Sequence, residues 1–239
     1  MTCDSVARRK STPGNAGCDV VLVGVGGQGI LTIGELLLHA ALDAGIPASF
    51  APTKGMAQRG GFVKAELRLG ADGVGPRVCD RGADLVVAME RSEALRGIRF
   101  VKTGGSFVLY DDVWAPTGVM LGAARYPERD AVVRAIEAAG AHPIVLLPAE
   151  MPAIGGRRVS ANVVALGAAC AVPALATVLD VARVEQAVAA RWPRASVTNV
   201  AALRFGRQSV AGCASRVGLA APIARTSQPP SRAPESAGT

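Results

Sequence analysis

Aromatic side chains are scarce in this chain of 239 residues, in which Phe, Tyr and Trp together make up only 4%. Half of the residues are nevertheless hydrophobic, so the core has to be built from Val, Ala and Leu. Such a core favours a buried parallel sheet under helices over an aromatic-rich β-sandwich. The chain is long enough to bury a core of this kind without disulfides or a metal.

Metal-binding spacings are also lacking. The five cysteines are scattered, no two of them form a C-x-x-C pair, and there are only two histidines. The cysteines are Cys3, Cys18, Cys79, Cys170 and Cys213. Neither a zinc finger nor an iron–sulfur cluster has ligands spaced in this way, so we predict no metal site. An odd, scattered cysteine count is typical of the reducing cytoplasm, where we expect the protein to reside.

The central part of the chain has almost no net charge. The net charge is +7, but residues 1–17 carry +2 and residues 204–239 carry +4, which leaves +1 for residues 18–203. A basic nucleic-acid-binding face is therefore not expected. The basic cluster Arg8-Arg9-Lys10 is followed by polar residues and not by the apolar core of an export signal.

No membrane span is predicted. The longest uncharged stretch, residues 159–179, is rich in Ala and Gly and contains Asn162 and Pro173. These features favour a buried helix that is broken at Pro173.

The order of strand and helix signals defines the predicted fold. Residues 1–17 and residues 209–239, an Ala/Pro/Ser/Arg-rich segment, are predicted to be disordered tails. In residues 18–208, short apolar runs alternate with amphipathic stretches, of which residues 181–192 are the last strong helix. This alternation predicts one α/β domain, a Rossmann-like three-layer sandwich with a mostly parallel sheet and helices on both faces.

One predicted strand differs from the others. Residues 62–69 alternate between apolar and charged side chains, which places Lys64, Glu66 and Arg68 on one face. The pattern predicts a half-exposed, antiparallel strand. The preceding residues 52–61 are predicted to be a loop.

A glycine-rich turn, Gly24-Val25-Gly26-Gly27-Gln28-Gly29, falls between a predicted strand and a predicted helix. Three of its glycines have the G-x-G-x-x-G spacing of a dinucleotide-binding turn, in which the helix N-terminus favours an anion. The carboxylate that would hold a ribose is missing, because residues 49–52 read Ser-Phe-Ala-Pro. Three interpretations remain open: a tight turn alone, a different phosphate-bearing ligand, and NAD(P).

A second glycine motif follows one helix and one strand later. It reads Lys54-Gly55-Met56-Ala57-Gln58-Arg59-Gly60-Gly61. In tandem, the two motifs resemble the gamma-type domain of thiamine-diphosphate-dependent 2-oxoacid:ferredoxin oxidoreductases, and most closely the beta subunit of indolepyruvate:ferredoxin oxidoreductases. Further similar segments lie at residues 82–90, 125–127 and 162–167, so the resemblance covers residues 18–207. Lys54 stands where such proteins more usually have a His.

The resemblance implies a subunit of an enzyme that oxidatively decarboxylates a 2-oxoacid, passes two electrons to ferredoxin and forms an acyl-coenzyme A. It implies that thiamine diphosphate, Mg²⁺ and the iron–sulfur clusters belong to a larger partner subunit, with coenzyme A as co-substrate. The chain would then be a non-cofactor subunit that is inactive alone, with an aryl pyruvate as the expected substrate. A free-standing nucleotide-binding oxidoreductase and a scaffolding module are the alternatives.

The candidate site consists of the two glycine motifs, and no catalytic residue is predicted. Its members are Gly24, Gly26, Gly27, Gln28, Gly29, Lys54, Gly55, Gln58, Arg59, Gly60 and Gly61. Glycines allow a close approach of the backbone, and Lys54 and Arg59 can hold a carboxylate or a phosphate. The second motif is interpreted as a subunit interface, as a ligand contact or as a solvated loop.

Weaker candidates lie outside these motifs. His39 is expected to pack within an apolar helix, and His142 at a strand start has no evident partner. Glu90 and Arg91 end one strand, and Asp111 and Asp112 end another, at a position where α/β proteins often bind ligands. A solvated turn is favoured there over a metal site. Asn162 is expected to cap or anchor its helix.

Overall fold

The computed structural model describes residues 17–54, 61–70, 75–115, 117–122, 125–154 and 156–217. Six strands form the main sheet: β1 (Cys18–Val25), β2 (Ala48–Lys54), β3 (Phe62–Leu69), β4 (Ala83–Ala88), β5 (Val101–Tyr110) and β6 (His142–Leu146). Two short strands, β7 (Ala153–Ile154) and β8 (Arg157–Arg158), pair with each other. The helices are α1 (Ile30–Asp43), α2 (Arg91–Gly97), α3 (Thr117–Met120), α4 (Arg129–Ala138), α5 (Ala161–Cys170), α6 (Pro173–Ala176), α7 (Val181–Arg191) and α8 (Ser196–Val217).

The strand order of the main sheet is β2-β3-β1-β4-β5-β6. β1, β4, β5 and β6 are parallel neighbours, whereas β3 runs antiparallel to both β1 and β2. The mostly parallel sheet is therefore confirmed, and β3 is antiparallel as predicted. Five strands end on one side, where β3 begins. We call this side of the sheet the carboxyl edge.

Helices cover both faces of the sheet, and this confirms the predicted three layers. β1 is buried throughout, and its alternate side chains enter two separate cores. Val20 and Leu22 pack in the core formed with α1, α5, α7 and α8, and Val21 and Val23 pack in the core formed with α2 and α4. A strand that is buried on both faces reads as an unbroken apolar run, which explains why β1 was recognisable in the sequence.

The polar face of β3 is more buried than the sequence predicts, because the side chains of Lys64 and Arg68 are only 13% and 12% exposed. Glu66 is 1% exposed and accepts from Lys64 Nζ at 2.5 Å. Arg68 bonds both carboxylate oxygens of Asp19, at 2.9 and 3.2 Å, and donates to Gly75 O at 2.9 Å. Gly75 therefore lies against this face, and the charges are paired within the fold.

The structure also moves several predicted boundaries. β2 extends to Lys54, so the predicted loop at residues 52–61 begins later. α8 was not predicted, and its backbone is helical to Val217. Val210 packs against the larger core, so this helix continues beyond Gln208. Residues 1–16 and 218–239 lie outside the described residues.

The uncharged stretch at residues 159–179 is a broken helix, as predicted. α5 ends at Cys170, and Pro173 begins the separate helix α6. Among the described helices, none is both long and apolar enough to cross a membrane.

Candidate functional site at the carboxyl edge

The first glycine motif links β1 to α1 at the carboxyl edge. Gly27 and Gly29 have φ values of 106° and 77°, in the left-handed region that side chains disfavour. A Cβ on Gly24 would lie 2.5 Å from Ile30 Cδ1. A Cβ on Gly27 would have no neighbour within 4 Å, so the space beside it is open. The motif thus combines a tight turn with an accessible backbone.

The two glycine motifs meet at this edge. Gly26 N–H donates to Gly61 O at 2.9 Å, and Val25 pairs with Phe62 at the end of the β1–β3 ladder. On the neighbouring strand, Lys54 pairs with Val63. The ends of the second motif are therefore fixed beside the first. Gly55, Gln58, Arg59 and Gly60 lie outside the described residues.

Gln28 joins three strands through its side-chain amide. Its Oε1 accepts from Val25 N–H at 2.9 Å, while its Nε2 donates to Met89 O at 2.8 Å and to Asp112 Oδ2 at 3.2 Å. Both ends of the amide are thus engaged within the chain. This arrangement fixes the glycine turn relative to the ends of β4 and β5.

The N-terminus of α1 has no side-chain cap. Gly29 occupies the N-cap position, and the first turn contains no acidic residue. The first backbone bond of the helix runs from Ile33 N–H to Gly29 O. The partial positive charge at this helix end is therefore not compensated by its own sequence, which suits an anion.

Asn162 lies beside this helix end. A Cβ on Gly29 would come within 2.3 Å of its amide nitrogen. The residue is in the first turn of α5, where Ser160 and not Asn162 is the N-cap. Of the two expected roles, capping is therefore wrong; the side chain packs over the α1 N-terminus, and an anchoring role stays a prediction.

Glu90 organises the exit of β4, a role that the sequence analysis missed. The side chain is completely buried and accepts from Ser92 Oγ at 2.6 Å, Glu93 N–H at 2.8 Å and Trp114 N–H at 3.3 Å. Tyr126 OH donates to the same carboxylate. A buried carboxylate with several donors is well compensated, and this one ties α2 to the chain that follows β5.

Arg91 and Asp111 form a second link at this edge. The guanidinium bonds both carboxylate oxygens, at 2.6 and 2.9 Å, and the bond to Asp111 raises the pKa of Arg91. Arg129 lies 3.9 Å from the same carboxylate. Asp111 therefore pairs with cations of the chain, and Asp112 with Gln28. No local pattern in the sequence predicts these pairs, because their members are far apart along the chain.

The remaining candidates lie apart from this cluster. His39 is exposed on α1, which corrects the expectation that it would be packed, and His142 is exposed at the start of β6. Within the described residues, no three His, Cys, Asp or Glu side chains are grouped so that they could hold a metal ion.

The fold and the paired glycine motifs can be compared with those of known protein families. The family described as "Pyruvate ferredoxin/flavodoxin oxidoreductase" matches residues 19–209, and the chain belongs to this family. It is a subunit of a 2-oxoacid:ferredoxin oxidoreductase. The resemblance seen in the sequence is thereby confirmed.

Curated relatives make the comparison more specific. The chain is 36% identical over 149 residues to "Indolepyruvate oxidoreductase subunit IorB" of Archaeoglobus fulgidus, an alignment that covers 62% of this chain and 74% of the relative. It is 38% identical over 156 residues to the protein of the same name from Pyrococcus horikoshii, with 65% and 77% covered.

Solved structures share the fold. The pyruvate oxidoreductase subunit PORC of Thermotoga maritima has a TM-score of 0.61 at 18% identity, with 81% of this chain and 96% of that chain covered. The gamma subunit of a keto/oxoacid ferredoxin oxidoreductase from Geobacter sulfurreducens has a TM-score of 0.54 at 22% identity, with 82% and 99% covered. In the 2-oxoglutarate:ferredoxin oxidoreductase of Magnetococcus marinus, the match (TM-score 0.56, 16% identity) covers 82% of this chain but only 31% of the longer one.

Proposed function

We propose that this chain is the small subunit of an indolepyruvate-type, aryl-2-oxoacid:ferredoxin oxidoreductase that forms acyl-coenzyme A. Family membership supports the class of reaction, and the names of the two relatives described above support indolepyruvate as the substrate. Thiamine diphosphate, Mg²⁺ and the iron–sulfur clusters belong to a larger partner subunit, which also passes electrons to ferredoxin. The complex works in the cytoplasm.

The described cysteines of this subunit do not form a site for an iron–sulfur cluster. Cys18 and Cys170 are buried on different elements, β1 and α5. Burial raises the pKa of the Cys170 thiol to about 12, so this thiol is protonated at neutral pH. Together with the lack of a metal-ligand group in the described residues, this chemistry supports a division of labour between the two subunits.

The carboxyl edge is the part of the subunit that contributes to the active complex. Its open space beside Gly27 and the uncompensated N-terminus of α1 suit an anionic group such as a phosphate of coenzyme A. Lys54 and Arg59 of the second motif add positive charge. Alternatively, the glycine backbone at this edge contacts the partner subunit directly. Experiments therefore have to distinguish ligand contact from subunit contact.

Reconstitution tests the proposed function. The chain is combined with the thiamine-diphosphate and iron–sulfur subunit encoded by the same genome, and ferredoxin reduction is followed with coenzyme A and indolepyruvate, pyruvate or 2-oxoglutarate. We expect turnover only when both subunits are present, with indolepyruvate preferred. Equal turnover by the large subunit alone would refute the proposal, and a preference for 2-oxoglutarate would refute the substrate.

Arg59→Ala separates the two roles of the second motif. Loss of a charge-assisted contact costs about 1.5–3 kcal/mol, so we expect turnover of the complex to fall about tenfold or more. A higher KM for coenzyme A with unchanged assembly indicates ligand contact, and a weaker assembly indicates an interface. Arg134→Ala, at an exposed arginine of α4, is the matched control and should change neither. If Arg59→Ala also changes neither, the motif has no part in the site.

A further inference from the structure

The connection between β5 and α4, residues 111–128, exposes an unusual amount of apolar surface. Val113 and Trp114 are 50% and 48% exposed, and Met120 and Leu121 are 76% and 78% exposed. Elsewhere in the described residues, the large exposed hydrophobic side chains are isolated ones on helices: Leu42, Leu95 and Val197. Single exposed apolar residues are normal, but four within one short stretch mark a surface that binds something.

This stretch lies at the carboxyl edge, next to the glycine turn. Asp111 N–H donates to Leu146 O at 2.9 Å where the connection leaves β5, and Asp112 accepts from Gln28 of the glycine turn. The chain returns at Arg129, whose Nη1 is 3.9 Å from Asp111. The apolar stretch is thus continuous with the edge that the proposed function gives to the active complex.

The stretch is held in place before any partner binds. Glu90 accepts from Trp114 N–H at one end of the connection and from Tyr126 OH at the other. Asp112 Oδ1 accepts from Val113 N–H at 3.0 Å. Because these bonds hold the backbone of Val113 and Trp114 in advance, ordering these two residues on binding would cost less conformational entropy than it would in a free loop.

The chemistry of the stretch matches the core of a protein interface. Residues 113–122 contain no charged side chain, and they include Trp and Met, which are enriched in interface cores. The other large hydrophobic side chains that are exposed in the described residues stand singly on helices. A partner that buries apolar surface is therefore favoured at this stretch.

We propose that the exposed side chains of Val113, Trp114, Met120 and Leu121 are the docking surface for the larger, cofactor-bearing subunit, with Trp114 as the anchoring side chain. The inference rests on the proposed function and names the surface through which the complex assembles. A second copy of this chain is a less suitable occupant. Pro52 and Pro143 remove backbone donors from the two outer strands, β2 and β6, so the sheet cannot readily pair with itself.

The test measures the affinity of the purified full-length chain for the purified large subunit. We expect Trp114→Ala to raise the Kd about 30-fold, as is typical of an aromatic anchor, and Met120→Ser with Leu121→Ser to raise it about 10-fold. Val197→Ser is the control, because Val197 is 82% exposed on α8 and away from this edge. Thermal unfolding should be unchanged in all variants, since every substituted side chain is exposed.

Each outcome decides between the two proposals. If the wild-type chain forms an active complex and the apolar variants bind as tightly as it does, the docking surface is wrong while the proposed function stands. If the wild-type chain neither binds nor activates the large subunit, both fail. If sedimentation shows a wild-type dimer that Trp114→Ala disperses, with binding to the large subunit unaltered, the surface belongs to a second copy and the proposal is overturned.

Discussion

Glycines have different structural roles in two regions of this molecule: they permit a positive φ at the carboxyl edge, and they permit close helix packing where α5 crosses α8. At the crossing, a Cβ on Gly167 would lie 1.9 Å from Leu203 O, and a Cβ on Gly206 would lie 1.9 Å from Val164 O. The two backbones therefore touch, and neither position has room for any side chain. At the edge, Gly27 has a positive φ and nothing near the position of its absent Cβ.

This difference separates a packing site from a site that can face another molecule. The crossing is filled by the chain itself, so its glycines can act only on stability. The turn keeps its glycines for backbone conformation and leaves open space beside them, so substitutions there can affect what approaches the edge. Substitutions at the crossing should therefore mainly lower the stability of the fold, whereas substitutions in the turn should mainly weaken complex formation.

The largest effect is expected at the crossing. Gly206→Ala or Gly167→Ala forces the helices apart, because the obstructing atoms are backbone carbonyls that cannot rotate away. We expect a loss of about 3 kcal/mol, or a Tm lower by roughly 10 °C. Gly75→Ala, at an exposed glycine with no neighbour within 4 Å, is the control. An unchanged Tm in both crossing variants would mean that the helices do not approach so closely.

Glu90 provides the next largest effect and belongs to the edge. Glu90→Gln keeps the size of the side chain but turns one acceptor oxygen into a donor that faces other donors. We expect a loss of about 2 kcal/mol in urea unfolding, since hydrogen bonds to charged groups are worth roughly that much. Tyr126→Phe removes a single donor and should cost less. If the two losses are equal, the other bonds to Glu90 contribute nothing.

Gln28 tests whether the glycine turn is held by its amide. Gln28→Glu replaces the donor to Met89 O by an oxygen and brings a second carboxylate towards Asp112. We expect a loss of about 1.5 kcal/mol. Adding Asp112→Asn should recover part of it by removing the repulsion. Strictly additive losses in this double-mutant cycle would show that the two side chains do not interact.

A smaller effect is expected within the turn. Gly27→Ala should cost about 1 kcal/mol through its positive φ alone, because the added methyl group meets no atom. Gly29→Ala should cost more, since its methyl group also meets the Asn162 amide. Asn162→Ala in the same chain should bring Gly29→Ala close to the cost of Gly27→Ala. If Gly29→Ala costs no more than Gly27→Ala while Asn162 is present, Asn162 does not lie against Gly29.

The sequence could predict the edge but not the crossing, for a physical reason. The turn between β1 and α1 is local, so the spacing of Gly24, Gly26 and Gly29 was visible between an apolar run and a helix. The crossing brings together Gly167 on α5 and Gly206 on α8, and the helices α6 and α7 separate these residues along the chain. Such a contact leaves no periodic signal, and α8 itself has Arg204 and Arg207 close to Gly206, which obscures its apolar face.

The same reason explains which parts of the candidate site were missed. Gln28 was noticed because it interrupts a run of glycines, but its partners Met89 and Asp112 lie just beyond the ends of β4 and β5. The bonds from Trp114 and Tyr126 to Glu90 likewise depend on the strand order. The polar face of β3 was predicted to be exposed, since alternation reports which residues share a face and not what covers that face.

The smallest effect is expected from the ion pair beside the crossing. Arg204 on α8 bonds both oxygens of Glu185 on α7, at 2.6 and 2.8 Å, and this bond lowers the pKa of Glu185. The pair therefore contributes stability at pH values above the usual glutamate range, and that stability is lost as the pH falls through the lowered pKa. Because Arg204 is exposed, we expect Arg204→Ala to change the Tm at pH 7 by about 1 °C at most, with no difference in strongly acid solution. Arg183→Ala, at an exposed position on α7, controls for the loss of a surface charge. A large loss that persists in acid would mean that Arg204 supports the α7–α8 contact by the packing of its side chain and not by its charge.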